Sequence, residues 1–332
     1  YRIGKLFSYG FGVEQSYEKA AEWFEKAVEE ENPFAAFSLA GLYRRGQGVP
    51  QNEEKAFALY QMAAEDDRHP NAYAMYELGG MYRDGRGTER DAAKSKRWYS
   101  AAYTRFVALE QERGDENLAY RLGRMNLSGI GTSVNFELAK TYLGKSAVLK
   151  NVNAYYGLGT LYLKKEYVDY NPQQATFWFA KAADAGHDFA EYSLGKLYLK
   201  GEGVPKDPAK AIVYLERSAA KGNQYAECTL GKLYLFGMDV PEDRKRALYW
   251  LHRSAAQGNQ YAGRLLEHTK NPSVSPQTAV LGLLQGVARL LDGQTESLRL
   301  MDIHTDSKLL AEMAEKRAAL GYREGQKRSL RL

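Results

Sequence analysis

The sequence predicts an all-α fold, a tandem array of helical hairpins, and three observations predict it: a recurring phrase, a near-constant spacing and an apolar period of about 3.6 residues. The phrase reads SLGKLYLKGEGV at Ser193 to Val204, TLGKLYLFGMDV at Thr229 to Val240 and SLAGLYRRGQGV at Ser38 to Val49. Its leading apolar residue falls at Ile3, Leu39, Leu78, Leu122, Leu158, Leu194, Leu230 and Leu266, with spacings of 36, 39, 44, 36, 36, 36 and 36. Five of the seven intervals are identical, so the 332 residues are read as repeats rather than divided into ordinary domains.

Within each period the first element is a helix, because Ala226, Leu230, Leu233 and Tyr234 recur at helical spacing. It should end at a Gly-x-Gly turn (Gly46/Gly48, Gly85/Gly87, Gly129/Gly131, Gly201/Gly203), where glycine takes the positive φ of a helix C-terminus. The second element begins at a capping side chain, Asn52, Asp91, Asn135, Asp207 or Asp243, whose oxygen accepts from free N–H groups. It is also a helix, with Ala211, Tyr214, Leu215 and Ala219 on one face and a second register mark at Ala20, Ala56, Ala139, Ala175, Ala211 and Ala247. Small residues at Gly195, Gly231, Ala211 and Ala247 let the paired helices approach, while Tyr198, Tyr234 and Trp250 fill the space between hairpins.

The pattern A-x-x-x-L-G-x-L-Y-x-x-G-x-G-V, then D-x-x-K-A-x-x-W-Y-x-K-A-A-x-x-G, resembles the Sel1-like repeat family, relatives of tetratricopeptide repeats. The resemblance covers residues 1–271 and implies a right-handed α-solenoid of Sel1-like, TPR-like hairpins that serves as an adaptor or scaffold for protein complexes. About seven hairpins and a partial eighth are expected, the first one truncated, because Tyr1 aligns with Cys228 inside a first helix; more protein upstream is the matching expectation. Three departures stand out. An 8-residue excess within Arg97 to Asp115 predicts a longer second helix, Asn126 stands where Tyr is usual, and Lys165-Glu166-Tyr167 replaces a glycine turn.

After Asn271 the repeat stops. Residues 272–332 are expected to hold a capping helix over 276–292, with Val280, Leu283, Leu284, Val287, Leu290 and Leu291 on one face, and a basic helical tail ending in Lys327, Arg328 and Arg331. Gln260 to Asn271, Pro272-Ser273-Val274 and AALGY at Ala318 to Tyr322 also look like the C-terminal end of mobilisation relaxases of bacterial conjugative elements. That second resemblance implies an accessory module contacting nucleic acid or relaxosome partners. Nicking chemistry itself is not expected, since His69, His187, His252, His268 and His304 lie in different repeats without ligand spacing.

Apolar residues make up 44% and charged ones 26%, which excludes the composition of a disordered chain. The net charge of 46 − 41 = +5 is too dilute to indicate nucleic acid by itself. No stretch approaches the roughly 18–20 apolar residues of a membrane helix, so no membrane partner is expected. Cys228, the single cysteine, excludes an intrachain disulfide, and the expected setting is cytoplasmic. Ser193 and Lys196 satisfy an S-x-x-K spacing but lack its companion motifs, and the Gly-x-Gly pairs follow helices rather than strands. Asp66 and Asp67 read as solvated loop acids. No acid, base and nucleophile converge, so neither an enzyme nor a cofactor or metal site is expected.

The face opposite the core carries the functional signal. With Leu230 set as position 7 of its helix, positions 2, 5, 9 and 12 point away from the core at about 100° per residue. In tetratricopeptide-like solenoids that face lines the concave groove. The candidate partner-binding residues there are Phe37, Tyr73, Tyr76, Arg83, Tyr120, Arg124, Tyr156, Phe189, Tyr192, Lys196, Tyr225, Lys232 and Tyr261. Aromatics alternating with cations suit an extended, acidic or aromatic peptide, with Tyr120, Tyr156 and Tyr192 spaced about 10 Å apart. The competing explanation for the tyrosines is that they only brace neighbouring helices.

Overall fold

The computed structural model describes residues 1–270, so the capping helix, the basic tail and the boundary after Asn271 lie outside the described residues. Among the described residues there are fifteen helices and no strand: α1 (Arg2–Tyr9), α2 (Tyr17–Glu29), α3 (Pro33–Arg45), α4 (Glu53–Ala64), α5 (Ala72–Asp84), α6 (Ala92–Arg113), α7 (Glu116–Ser128), α8 (Phe136–Val148), α9 (Val152–Tyr162), α10 (Pro172–Asp184), α11 (Asp188–Lys200), α12 (Pro208–Ala220), α13 (Gln224–Phe236), α14 (Arg244–Ala256) and α15 (Gln260–Lys270). They form the hairpins of an all-α solenoid. The described residues divide into a unit of Tyr1–Ala190 with Gly201–Pro205, and a second unit formed by Glu191–Lys200 and residues 206–270.

In the first unit, α1 packs on α2, α3 on α4, α5 on α6, α7 on α8 and α9 on α10. Each pair and its neighbour close a small core, one around Phe24 and Leu39, one around Tyr60, Leu78 and Met81, one around Phe106, Leu118 and Leu122, and one around Leu143, Leu158 and Leu161. The second unit centres on Leu215, Leu230, Leu233, Leu251 and Leu265. Small residues are required at the crossings. A Cβ on Gly231 would stand 2.6 Å from Leu251 Cγ, and one on Gly195 2.7 Å from Leu215 Cγ.

The caps follow the sequence closely. Asn52, Asp91, Asn135, Asp207 and Asp243 each accept from the backbone N–H three residues on. A second set, Asn32, Asn71, Asp115, Asn151 and Asn223, caps the first helices in the same way. The turn glycines take positive φ, and at Gly87 (φ 64) a Cβ would lie 2.1 Å from the Glu53 carbonyl oxygen, because the turn rests on the start of the preceding outer helix.

The departures have definite structural outcomes. The 8-residue excess extends α6 to 22 residues where α4 and α8 have 12 and 13. Asn126 is wholly buried and donates to the Leu122 carbonyl at 2.8 Å while the Tyr103 hydroxyl donates to its Oδ1 at 3.3 Å. Where Lys165-Glu166-Tyr167 replaces glycine, α9 ends at Tyr162 and Tyr167 turns inward to 3% exposure, packed against Phe136 and Tyr162. Its hydroxyl donates to Asp169, which also receives Lys140 at 2.7 Å.

Candidate functional site

Capped starts and a shared register bring positions 2 and 5 of successive first helices together, whereas Cys228 at position 5 and Leu127 and Leu235 at position 12 join the core clusters instead of facing away from them. In the first unit Phe37 of α3 meets Tyr73 of α5 with ring centroids 6.2 Å apart. Tyr156 of α9 meets Phe189 at 6.4 Å. In the second unit Tyr192 meets Tyr225 at 6.2 Å. Each of these contacts joins position 5 of one helix to position 2 of the next. These rings therefore touch across neighbouring helices, and bracing between helices is part of what they do. Position-2 rings still keep an open edge: Phe34 is 45% exposed, Phe189 40% and Tyr225 39%.

The zig-zag breaks where position 2 is Asn117 in α7 and Asn153 in α9, both exposed. Tyr76 instead turns to Tyr99 at 5.1 Å and to Phe106 at 6.4 Å. Tyr120 lies beneath Arg124, whose guanidinium stands 6.0 Å from its ring centroid. Burial opposes the Arg124 charge, but Tyr120, then Tyr76 and Tyr156, outweigh it and hold the group above its ordinary value.

The basic column is less uniform than its sequence suggests. Arg44 is tied to Glu77, with both side chains a quarter exposed. Arg83 donates to both oxygens of Asp84, Nε to Oδ1 at 2.7 Å and Nη2 to Oδ2 at 3.0 Å. That bond is the main reason the Asp84 carboxyl sits below the usual carboxylate range. Both acids fall outside positions 2, 5, 9 and 12, so a list confined to that face omits them. The remaining cations stack on rings: Lys196 stands 5.6 Å from the Tyr192 centroid and Lys232 5.1 Å from that of half-buried Tyr261.

Three residues that the helical positions alone do not single out adjoin these rings. His187 stacks on Tyr156 at 4.7 Å and 14°, and its Nδ1 accepts from Ala190 N–H at 3.3 Å. It occupies the cap position that asparagine fills elsewhere, and that departure was visible in the repeat. Phe106, carried by the extension of α6, is wholly buried and meets Tyr73 edge-on at 5.1 Å. Arg121 stands over Tyr73 and Tyr76 at 4.9 Å each and over Phe106 at 5.4 Å. Its signal in the sequence was the length excess beside it.

Cys228 is buried at position 5, where tyrosine stands in the four preceding repeats. Among the described residues no group of three His, Cys, Asp or Glu side chains could hold a metal ion, and no helix is long and apolar enough to cross a membrane.

A family model for the Sel1 repeat matches residues 1–32, 33–67, 72–105, 118–149, 152–187, 188–223 and 224–259. A solved Sel1 repeat protein from Oxalobacter formigenes is similar at 25% identity over 76% of this chain and 95% of that one, with a TM-score of 0.59. An exopolysaccharide production negative regulator of Rhizobium meliloti is 30% identical over 153 residues, 42% of this chain and 54% of that protein. A sel1-like repeat-containing protein of Acanthamoeba polyphaga mimivirus is 37% identical over 62 residues, 19% of this chain and 12% of that protein. The chain thus spans about half the length, or less, of these curated relatives. The second resemblance, to mobilisation relaxases, gains no support from these matches.

Proposed function

The chain belongs to the Sel1 repeat family, and from that premise we propose that it is a non-enzymatic scaffold that binds extended protein segments along the aromatic faces that the first helices present within each unit. Sel1 repeats generally mediate protein–protein interactions. The observation that carries the finer reading is the set of half-open rings at position 2, Phe34, Phe189 and Tyr225, each backed by a fixed neighbour. A ring already held in place loses little freedom when a peptide stacks on it, so its contact area is converted efficiently into affinity. The stacked cations Arg124, Lys196 and Lys232 disfavour positively charged segments and suit an acidic one.

Peptides selected from a random display library against this chain provide the test. Phe189→Ala and Tyr225→Ala should each weaken the selected peptides at least about tenfold, roughly 1.4 kcal/mol, while circular dichroism shows an unchanged fold. Tyr249→Ala, on an outer helix and 54% exposed, should leave the affinity unchanged. If the outer substitution weakens binding while the other two do nothing, the face has been misassigned.

A further inference from the structure

Where the ring zig-zag is broken, the structure places a guanidinium among three rings. Arg121 is half-buried, and its flat group is enclosed by Tyr73, Tyr76 and Phe106. Among the described residues no carboxylate pairs with it and no acceptor takes its N–H groups. One turn further along α7, Arg124 on the same side also lacks a carboxylate, its nearest acceptor being the Tyr120 hydroxyl at 3.5 Å. This contrasts with Arg44 and Arg83, which are each neutralised by an acid on the same helix or the next.

Stacking satisfies the faces of a guanidinium but not its edge, where five N–H donors lie in one plane. A guanidinium whose faces are covered and whose edge meets no protein acceptor is left open to a carboxylate. The setting is specifically built. Phe106 exists here only because α6 runs past the point where the other outer helices stop, and Asn117 and Asn153 stand where a ring would otherwise close the face.

We propose that Arg121 and Arg124 form a carboxylate-binding subsite that receives an Asp or Glu side chain of the bound segment. Arg121 supplies a fixed two-pronged donor edge, and Arg124 supplies the second, more exposed charge. The proposal rests on the peptide-scaffold reading and adds to it a fixed register, because an acid placed at this site determines which residues of the segment meet the neighbouring rings.

The test follows the arginine Nε–Hε resonances in a heteronuclear correlation spectrum of the whole chain during titration with succinate at constant ionic strength. The Arg121 and Arg124 signals should shift saturably with succinate and not with an equal concentration of chloride. Arg124→Gln should weaken succinate at least about fivefold. Arg121→Lys, which keeps charge without the planar fork, should abolish the saturable response while circular dichroism shows an unchanged fold. Shifts that match those in chloride would overturn the subsite, and inorganic phosphate binding more tightly than succinate would overturn its carboxylate assignment. Failure here, with selected peptides still sensitive to Phe189→Ala and Tyr225→Ala, would remove the subsite alone. Insensitivity to those two substitutions would remove the scaffold reading itself.

Discussion

Phe106→Ala is the most informative stability experiment, because it asks whether the extension of α6 is integral to the array. The side chain is wholly buried in the cluster containing Ala72, Leu118 and Leu122. Truncating a buried phenylalanine costs about 3–5 kcal/mol, and this one also gives up its edge-on contact with Tyr73. In a repeat array, stability is a sum of local and nearest-neighbour contributions, so the loss should concentrate in α5 to α8 rather than spread evenly. Hydrogen exchange read by mass spectrometry should show protection over residues 116–128 falling about a hundredfold or more, since each 1.4 kcal/mol is tenfold. Phe106→Leu should cost less, because it retains most of the buried volume. A loss below about 1 kcal/mol for the alanine variant, or protection lost equally in every hairpin, would refute the idea that this residue locks the middle of the first unit.

Lys150→Gly should stabilise the protein by up to about 1 kcal/mol in urea denaturation, because Lys150 holds φ 64 at the place where Gly186, Gly222 and Gly258 stand in later repeats; a decrease would show that its side chain contributes more than the strain costs. Gly87→Ala should destabilise by well over 1 kcal/mol, since positive φ and the 2.1 Å approach to the Glu53 carbonyl both oppose a Cβ, and an unchanged urea midpoint would contradict that geometry. Glu227 is buried, with Arg253 at 2.9 Å and Gln257 donating to it at 2.7 Å, yet burial outweighs both partners and raises its carboxyl. A raised folded value means that its contribution is fully present below the unfolded value of about 4.3 and is lost as pH rises through the folded one. Melting temperatures of the native chain should therefore decline relative to those of Glu227→Gln as pH rises from about 4 through that window; parallel profiles would reject the shift.

The hairpins, their register and the caps of the outer helices were legible because they depend on spacing along one helix and on local backbone needs. The second set of caps, Asn32 to Asn223, carries the same local signal in the sequence. The ring contacts were not legible in that way. A helical wheel treats each helix alone, whereas Phe37 meeting Tyr73 depends on how far one hairpin is offset from the next. The same blindness hid Glu77 opposite Arg44, since position 6 of one helix faces position 12 of its neighbour. Tyr167 was unreadable for another reason: a loop without glycine gave no indication that its aromatic residue would replace the turn by filling the core.

The zig-zag of rings also bears on how such an array can be edited. A hairpin copied elsewhere brings its own second and fifth positions but leaves behind the ring that met each of them. At the Phe37–Tyr73, Tyr156–Phe189 and Tyr192–Tyr225 junctions the smallest interchangeable piece is therefore a pair of adjacent hairpins. At Asn117 no ring is waiting, but Arg121 reaches back over Tyr73, Tyr76 and Phe106 instead. The middle of the first unit is thus joined by a caged arginine where the other junctions are joined by paired rings, and a hairpin moved from there would have to bring the extended outer helix with it.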